Sequence, residues 1–338
     1  MNAHQAMREA IVAFCATAGK DPLLVQGAGG NVSWKDGDTL WIKASGTWLA
    51  DAAEKDIFVP VDLAALRTAL AAGDYGVTPV VRGDSALRPS IETVLHALMP
   101  HQVVVHVHAI DVLAHLVQQD WRAAVEAKVG AQLAWTAAGY CKPGAELAAA
   151  VAAALGERTA DVVFLENHGV VVGGASVADV EATIAALRRM LHLDPRPACD
   201  GAAPAPLGGE QGALLAPLAA GPVHCLARDP ALFARLADAW ALYPDHVVFL
   251  GAQAPAYASE ADLAGAGNEA ALPEFAIVAG AGVYAQPSFG LAKQIQLQCY
   301  HDVLARLPAG AAVNTLALEQ IGALLNWESE KYRMRLAK

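Results

Sequence analysis

The 338-residue sequence is short of charge, with 17% Asp, Glu, Lys and Arg, and short of aromatics, at 6%. Hydrophobic residues still make up 55% of it, enough for a sizeable core, which excludes a disordered chain. Long apolar runs are lacking: charge interrupts each alanine-rich amphipathic stretch well before the ~18 apolar residues a membrane span needs. Positive charge is the minority, 23 Lys and Arg against 34 Asp and Glu, for a net charge of −11 and no basic stripe. Broad binding to nucleic acid or to an anionic membrane is thereby excluded, whereas a local anion site is not. The five cysteines (Cys15, Cys141, Cys199, Cys225 and Cys299) are scattered and form no C-x-x-C pair. That argues against a disulfide framework and against a cysteine zinc knuckle. The N-terminal region lacks a basic segment followed by an apolar one, so no secretory signal is expected, and a cytoplasmic protein is.

What is present is a set of histidines in a telling arrangement. Val103-Val104-Val105-His106-Val107-His108 ends an apolar run with two imidazoles at i and i+2. In a strand those positions share a face, so both rings can reach one cation. His168 follows another apolar run, Phe164-Leu165, and precedes Gly169. Glu92 lies in the segment leading into the first pair. Three histidines, a glutamate and an open position describe a catalytic metal centre better than a closed structural one. A single histidine is more often a surface or satisfied core residue, and His96, His101, His115, His192, His224, His246 and His301 are read as structural, with His301 on a helix able to line a cleft. An isolated glutamate is usually solvated; the place of Glu92 beside Ser90 and ahead of the strand favours a site role.

Gly27-Ala28-Gly29-Gly30-Asn31 is a glycine-rich turn. It is neither a dinucleotide fingerprint nor a Walker loop, but its backbone N–H groups and the Asn31 amide can approach an anion. Ser45-Gly46-Thr47 offers a second such turn, with Lys43 and Arg88 as nearby positive charge.

Helices are expected over about 3–18, 62–72, 90–99 (capped by Ser90 and carrying Glu92), 111–118, 144–155 and 176–193, and strands over 39–43, 102–107, 161–166 and 170–173. A Pro-, Gly- and Ala-dense stretch, 199–212, reads as a linker. Beyond it are expected strands 246–250 and 275–278, a glycine turn at 280–282, helix 288–305 and a closing helix, 315–335. Mixed elements without regular βαβ alternation indicate an α/β layered architecture.

These segments, in this order, resemble the class II aldolase/adducin family: Gly29-Gly30-Asn31-Val32-Ser33, Lys43-Ala44-Ser45-Gly46-Thr47, Pro89-Ser90-Ile91-Glu92, His106-Val107-His108, Pro143-Gly144 and Asn167-His168-Gly169. The resemblance covers about residues 5–195. Residues 89–97 and the tail Trp327-Glu328-Ser329-Glu330-Lys331-Tyr332 are also similar to the aldolase part of bifunctional rhamnulose-phosphate aldolase/lactaldehyde dehydrogenase proteins; the dehydrogenase part is missing, and its activity is not carried over. The resemblance implies a three-layer αβα sandwich over residues 1–198 and a smaller C-terminal α/β module over 213–338. It implies a divalent metal, foremost Zn2+ with Mn2+, Co2+ or Fe2+ as alternatives, on His106, His108 and His168, and Glu92 as the catalytic carboxylate. Gly30, Asn31, Ser45, Gly46 and Ser90 fall where the family binds the substrate's anion. Ile91 stands where short sugar-phosphate aldolases often carry a serine, which leaves a carboxylate or a neutral hydroxy-ketone open beside a phosphate. The implied activity is cleavage or formation of a C–C bond in a hydroxy-ketone or sugar phosphate through a metal-stabilised enediolate, in a homo-oligomer. The same machinery serves epimerases, decarboxylases and dehydratases, and adducin keeps the fold as a non-catalytic interaction module. The intact histidine set and Glu92 speak for the enzyme.

Overall fold

The computed structural model describes residues 3–156, 158–267 and 272–336; Met1, Asn2, Glu157, residues 268–271, Ala337 and Lys338 lie outside them. Seven strands form the main sheet: β1 (Asn31–Asp36), β2 (Thr39–Lys43), β3 (Phe58–Asp62), β4 (Val103–Val107), β5 (Trp135–Ala138), β6 (Val162–Leu165) and β7 (Gly169–Gly174). Their order is β3-β2-β1-β4-β7-β6-β5, and every neighbouring pair is antiparallel except β5 with β6.

β4 is apolar on both sides because both faces of the sheet are covered. Val103, Val105 and Val107 pack with Ile11 and Phe14 of helix Ala3–Ala18 and with Ile184 and Leu187 of helix Val177–Met190. Val104 points the other way, toward Leu95 of helix Thr93–Leu98 and Leu147 and Val151 of helix Ala145–Leu155. The result is a three-layer αβα arrangement, as expected. His106 takes the Val104 side by alternation.

A second sheet follows, β8 (Ala216–Pro217), β9 (Ala256–Tyr257), β10 (Phe275–Val278) and β11 (Gly282–Ala285), in the order β8-β11-β10-β9. It does not stand apart. One apolar cluster joins Ile110, Leu113 and Val117 to Leu226, Tyr243, Val247, Leu297 and Tyr300, so the two halves of the chain share core.

Three local expectations are corrected. Residues 246–250 are not a strand but part of helix Pro244–Leu250: proline supplies the fixed φ of a first turn, and Gly251 at φ 88° stops the helix. All seven residues of that helix are buried, so no polar face betrays the 3.6-residue period. The closing helix is two, Leu318–Leu325 and Glu328–Leu336. Helix Thr93–Leu98 begins after Glu92, which occupies its N-cap, instead of carrying Glu92 inside a helix capped by Ser90. Residues 192–208 have no regular secondary structure and Gly209–Leu214 is a short helix. Within this stretch lies a further correction, since Cys199 is disulfide-bonded to Cys225. Their separation of 26 residues carries no motif, and cysteine spacing therefore gives no argument for a reducing compartment.

Candidate metal centre and active site

β4 delivers His106 and, one step past its end, His108 to the same side. The tight turn between β6 and β7 delivers His168. That turn needs Asn167 at φ 52°, and the Asn167 side chain is pinned by donating to the carbonyls of Leu242 and Asn314, both at 2.7 Å. The candidate ligand atoms of the three histidines all lie within 4.8 Å of one another, and all three rings are buried. His106 Nε2 and His108 Nε2 face each other at 3.1 Å. Nitrogens bound to one tetrahedral zinc at about 2.0–2.1 Å sit roughly 3.3 Å apart, so this spacing fits a shared divalent ion.

Glu92 closes the group. Its Oε2 lies 3.6 Å from His106 Nε2 and its Oε1 3.6 Å from His168 Nε2. Oε1 is buried with no hydrogen-bond partner among the described residues. A buried carboxylate oxygen without a donor, aimed at converging imidazoles, is a poor arrangement unless a cation neutralises it. Burial raises the carboxyl's pKa, but the imidazoles of His106 and His168 and the amide of Asn31 hold it down to about 2. Burial pushes His108 down to about 3 and His168 to about 4, so both are neutral and available as ligands at ordinary pH.

The sheet register sets Asn31 directly opposite His106. Gly30, at φ 63°, permits this close approach, because a Cβ there would stand 2.8 Å from the His106 carbonyl. Asn31 Nδ2 donates to Glu92 Oε2 at 2.8 Å, and its Oδ1 accepts from His96 Nε2. His96 Nδ1 then accepts from Ser33 Oγ at 2.7 Å. The tautomer follows by elimination: a carboxylate only accepts, so Nδ2 donates, Oδ1 accepts, and His96 carries its proton on Nε2. His96, read from sequence as merely structural, is a buttress of Glu92. Its position four residues after Glu92 was the available signal.

The pocket wall brings together Gly30, Asn31, Ser45, Gly46, Ser90, Glu92, His108 and His168, with His106 fully buried behind. Asn31 and Ser90 are already engaged, Ser90 Oγ accepting from Asn31 Nδ2 and from the Glu92 N–H, both at 3.3 Å. Lys43 joins the wall, donating to the Ala28 carbonyl at 3.1 Å, and burial with help from Arg333 pushes its ammonium down to about 7. Arg88 stays outside, stacked 4.2 Å from the centroid of the Tyr332 ring. Three wall residues were not read as site residues from the sequence: Asp245 and Arg333, which drew no notice, and Glu330, noted only within the tail that carries the resemblance. Arg333 grips both oxygens of Asp245 at 2.6 Å, and Asp245 Oδ2 lies 3.6 Å from His108 Nδ1. Together they line a small cavity of about 30 Å³.

The αβα sandwich thus brings three buried imidazoles, from its central strand and an adjoining turn, together beside a carboxylate in a group that could hold a metal ion. The chain belongs to the family of class II aldolase and adducin N-terminal domains, whose model matches residues 9–193. Among solved structures it is similar to the N-terminal class II aldolase domain of a conserved protein from Thermoplasma acidophilum, with 23% identity, TM-score 0.45, and 54% of this chain and 90% of that one covered. It is similar also to L-fuculose-1-phosphate aldolase from Thermus thermophilus, at 18% identity, TM-score 0.38, and 55% and 93% covered. A sugar-phosphate aldolase from Thermotoga maritima gives 17% identity, TM-score 0.43, and 55% and 93%. No curated protein matches the chain. Among the described residues no helix is long and apolar enough to cross a membrane.

Proposed function

We propose that the protein is a divalent-metal-dependent aldolase-type carbon–carbon lyase acting on a hydroxy-ketone or sugar phosphate, with residues 1–198 as its catalytic domain, 199–212 as a linker and 213–338 as a C-terminal α/β module. The observation that supports it most is the buried Glu92 carboxyl group 3.6 Å from two of three converging imidazoles. His106, His108 and His168 are the residues that would hold the ion, and a nitrogen-only set of three with an open side suits zinc. When bound, a divalent ion supplies Lewis-acid stabilisation of the negative charge that develops on the donor oxygens during C–C cleavage.

The chain's own residues do the rest. In condensation, Glu92 takes the proton from the donor carbon beside the carbonyl; in cleavage it returns one to that carbon. Asn31, oriented by His96, keeps the carboxylate ionised and aimed. Lys43, the Ser45 hydroxyl and the backbone N–H groups at Gly30 and Gly46 offer the positive field and donors suited to a substrate anion, while the Ser45 N–H is held by the Arg88 carbonyl at 2.9 Å. Helix Glu328–Leu336 excludes bulk water from the site through Glu330 and Arg333.

The test is a panel of hydroxy-ketones, with and without phosphate, assayed for aldehyde release with added Zn2+, Mn2+ or Co2+. Turnover is expected to vanish on chelation and to fall about 10²- to 10⁴-fold in Glu92→Gln, the usual contribution of a positioned acid–base group. Undiminished turnover in that variant removes the reading.

A further inference from the structure

An imidazole that ligates a metal through one nitrogen needs the other nitrogen's proton placed, because that partner sets the tautomer and the ring's orientation. For His106 the partner is the carbonyl of Val170, 3.1 Å from Nδ1. A carbonyl only accepts, so Nδ1 carries the proton and Nε2 presents its lone pair. Among the described residues no carbonyl does the same for His108. Its Nε2 faces His106, and its Nδ1 faces Asp245 Oδ2 across 3.6 Å, an electrostatic contact between buried groups.

Asp245 does not belong to the sheet that carries the histidines. It lies in the first turn of helix Pro244–Leu250 and is held by Arg333 of helix Glu328–Leu336, through two hydrogen bonds of 2.6 Å, and by Gln296 Nε2 at 3.4 Å. All three residues lie beyond the stretch that matches the family. Gly29 keeps the junction clear: a Cβ there would lie 3.3 Å from both Asp245 Oδ2 and His108 Nδ1. Asp245 and Arg333 are both deeply buried, with side-chain exposures of 3% and 12%. Stability alone does not explain such a pair, since desolvation takes back much of its Coulombic gain and apolar residues of similar volume often serve as well.

We propose that Asp245 is a positioning residue of the metal centre: its carboxylate, clamped by Arg333, fixes the His108 ring with Nε2 toward the ion, so that the C-terminal region completes a site whose ligands all come from the N-terminal one. This rests on the metal reading of the triad and is independent of which reaction the site performs.

The experiment measures zinc affinity by competition with a chromogenic chelator, the visible spectrum of the Co2+-loaded protein, and the melting temperature of the apo-protein. Asp245→Asn is expected to weaken zinc binding about 10- to 100-fold, the usual effect of losing a residue that orients a ligand, and to alter the Co2+ spectrum. The double variant Asp245→Leu/Arg333→Met is expected to regain the apo-protein's melting temperature without regaining affinity. Arg333→Lys, which keeps the charge but not the two-pronged grip, is expected to fall between and serves if the double variant does not fold. Affinity within threefold of the parent in Asp245→Asn, or affinity recovering together with melting temperature in the double variant, overturns the proposal. Absence of stoichiometric zinc in the parent protein itself overturns the metal reading, and the proposal with it.

Discussion

Glu92 is the residue on which the site's chemistry converges, and its state is set by its neighbours. Burial alone pushes a carboxyl toward its neutral form; two imidazoles and one amide reverse that here. Asn31→Ala removes the 2.8 Å hydrogen bond to the carboxylate. A hydrogen bond to a charged group is worth about 1.5–3 kcal/mol, or roughly one to two pH units. Because the lost bond favours the ionised form, the pKa of Glu92 rises, and the acid limb of the pH–rate profile is expected to move upward by that amount. An unmoved limb separates Asn31 from the carboxylate's function. His106, His108 and His168 were legible because their spacing ties each to a strand end or a turn, whereas Glu92 was marked by its place beside Ser90 and ahead of the strand and by the family resemblance. Asn31 was singled out for an anion, yet its amide holds Glu92. That outcome depends on the β1–β4 register, which no local pattern encodes.

Among the elements, the C-terminal helix Glu328–Leu336 adds Glu330 and Arg333 to the pocket wall. Its Leu336 packs on Gly46, where φ is 78° and an added Cβ would stand 2.8 Å from the leucine Cβ. Gly46→Ala therefore combines left-handed backbone strain, about 1–3 kcal/mol, with a direct clash. The expected outcome is a loosened helix, read as faster tryptic cleavage after Lys331 and Arg333 with an otherwise intact fold. Cleavage at the parent rate separates Gly46 from the docking of this helix. The helix was visible in sequence only as part of one longer closing helix over 315–335. Its break near Asn326 and Trp327, and the conversion of 246–250 from an expected strand to a helix, arise where burial on every side erases periodicity or where tertiary contacts end an element that propensity would continue.

For the whole molecule, buried neutral histidines make the fold sensitive to acid. Burial pushes His96 down to about 3, against the pull of Glu92, and pushes His246 to about 3 as well. An unfolded chain protonates these rings below about 6.5. Between roughly pH 6.5 and 3 the unfolded state therefore binds more protons, and stability falls with falling pH at roughly 1 kcal/mol per pH unit for each ring. Urea midpoints measured across that window are expected to drop steadily, and His246→Leu is expected to lose one ring's share of the slope. A midpoint independent of pH contradicts neutral burial. By itself the sequence determined the layered α/β class, the strand that carries His106 and ends just before His108, and the family to which residues 9–193 belong. These depend on period-two alternation, glycine turns and short spacings, all written within a few residues. Only the tertiary structure decided that Asp245 and Arg333 reach His108, that Asn167 is braced by Leu242 and Asn314, and that a C-terminal helix roofs the pocket. Such contacts join residues dozens to hundreds of positions apart, and they are fixed by how apolar faces stack when one core is shared.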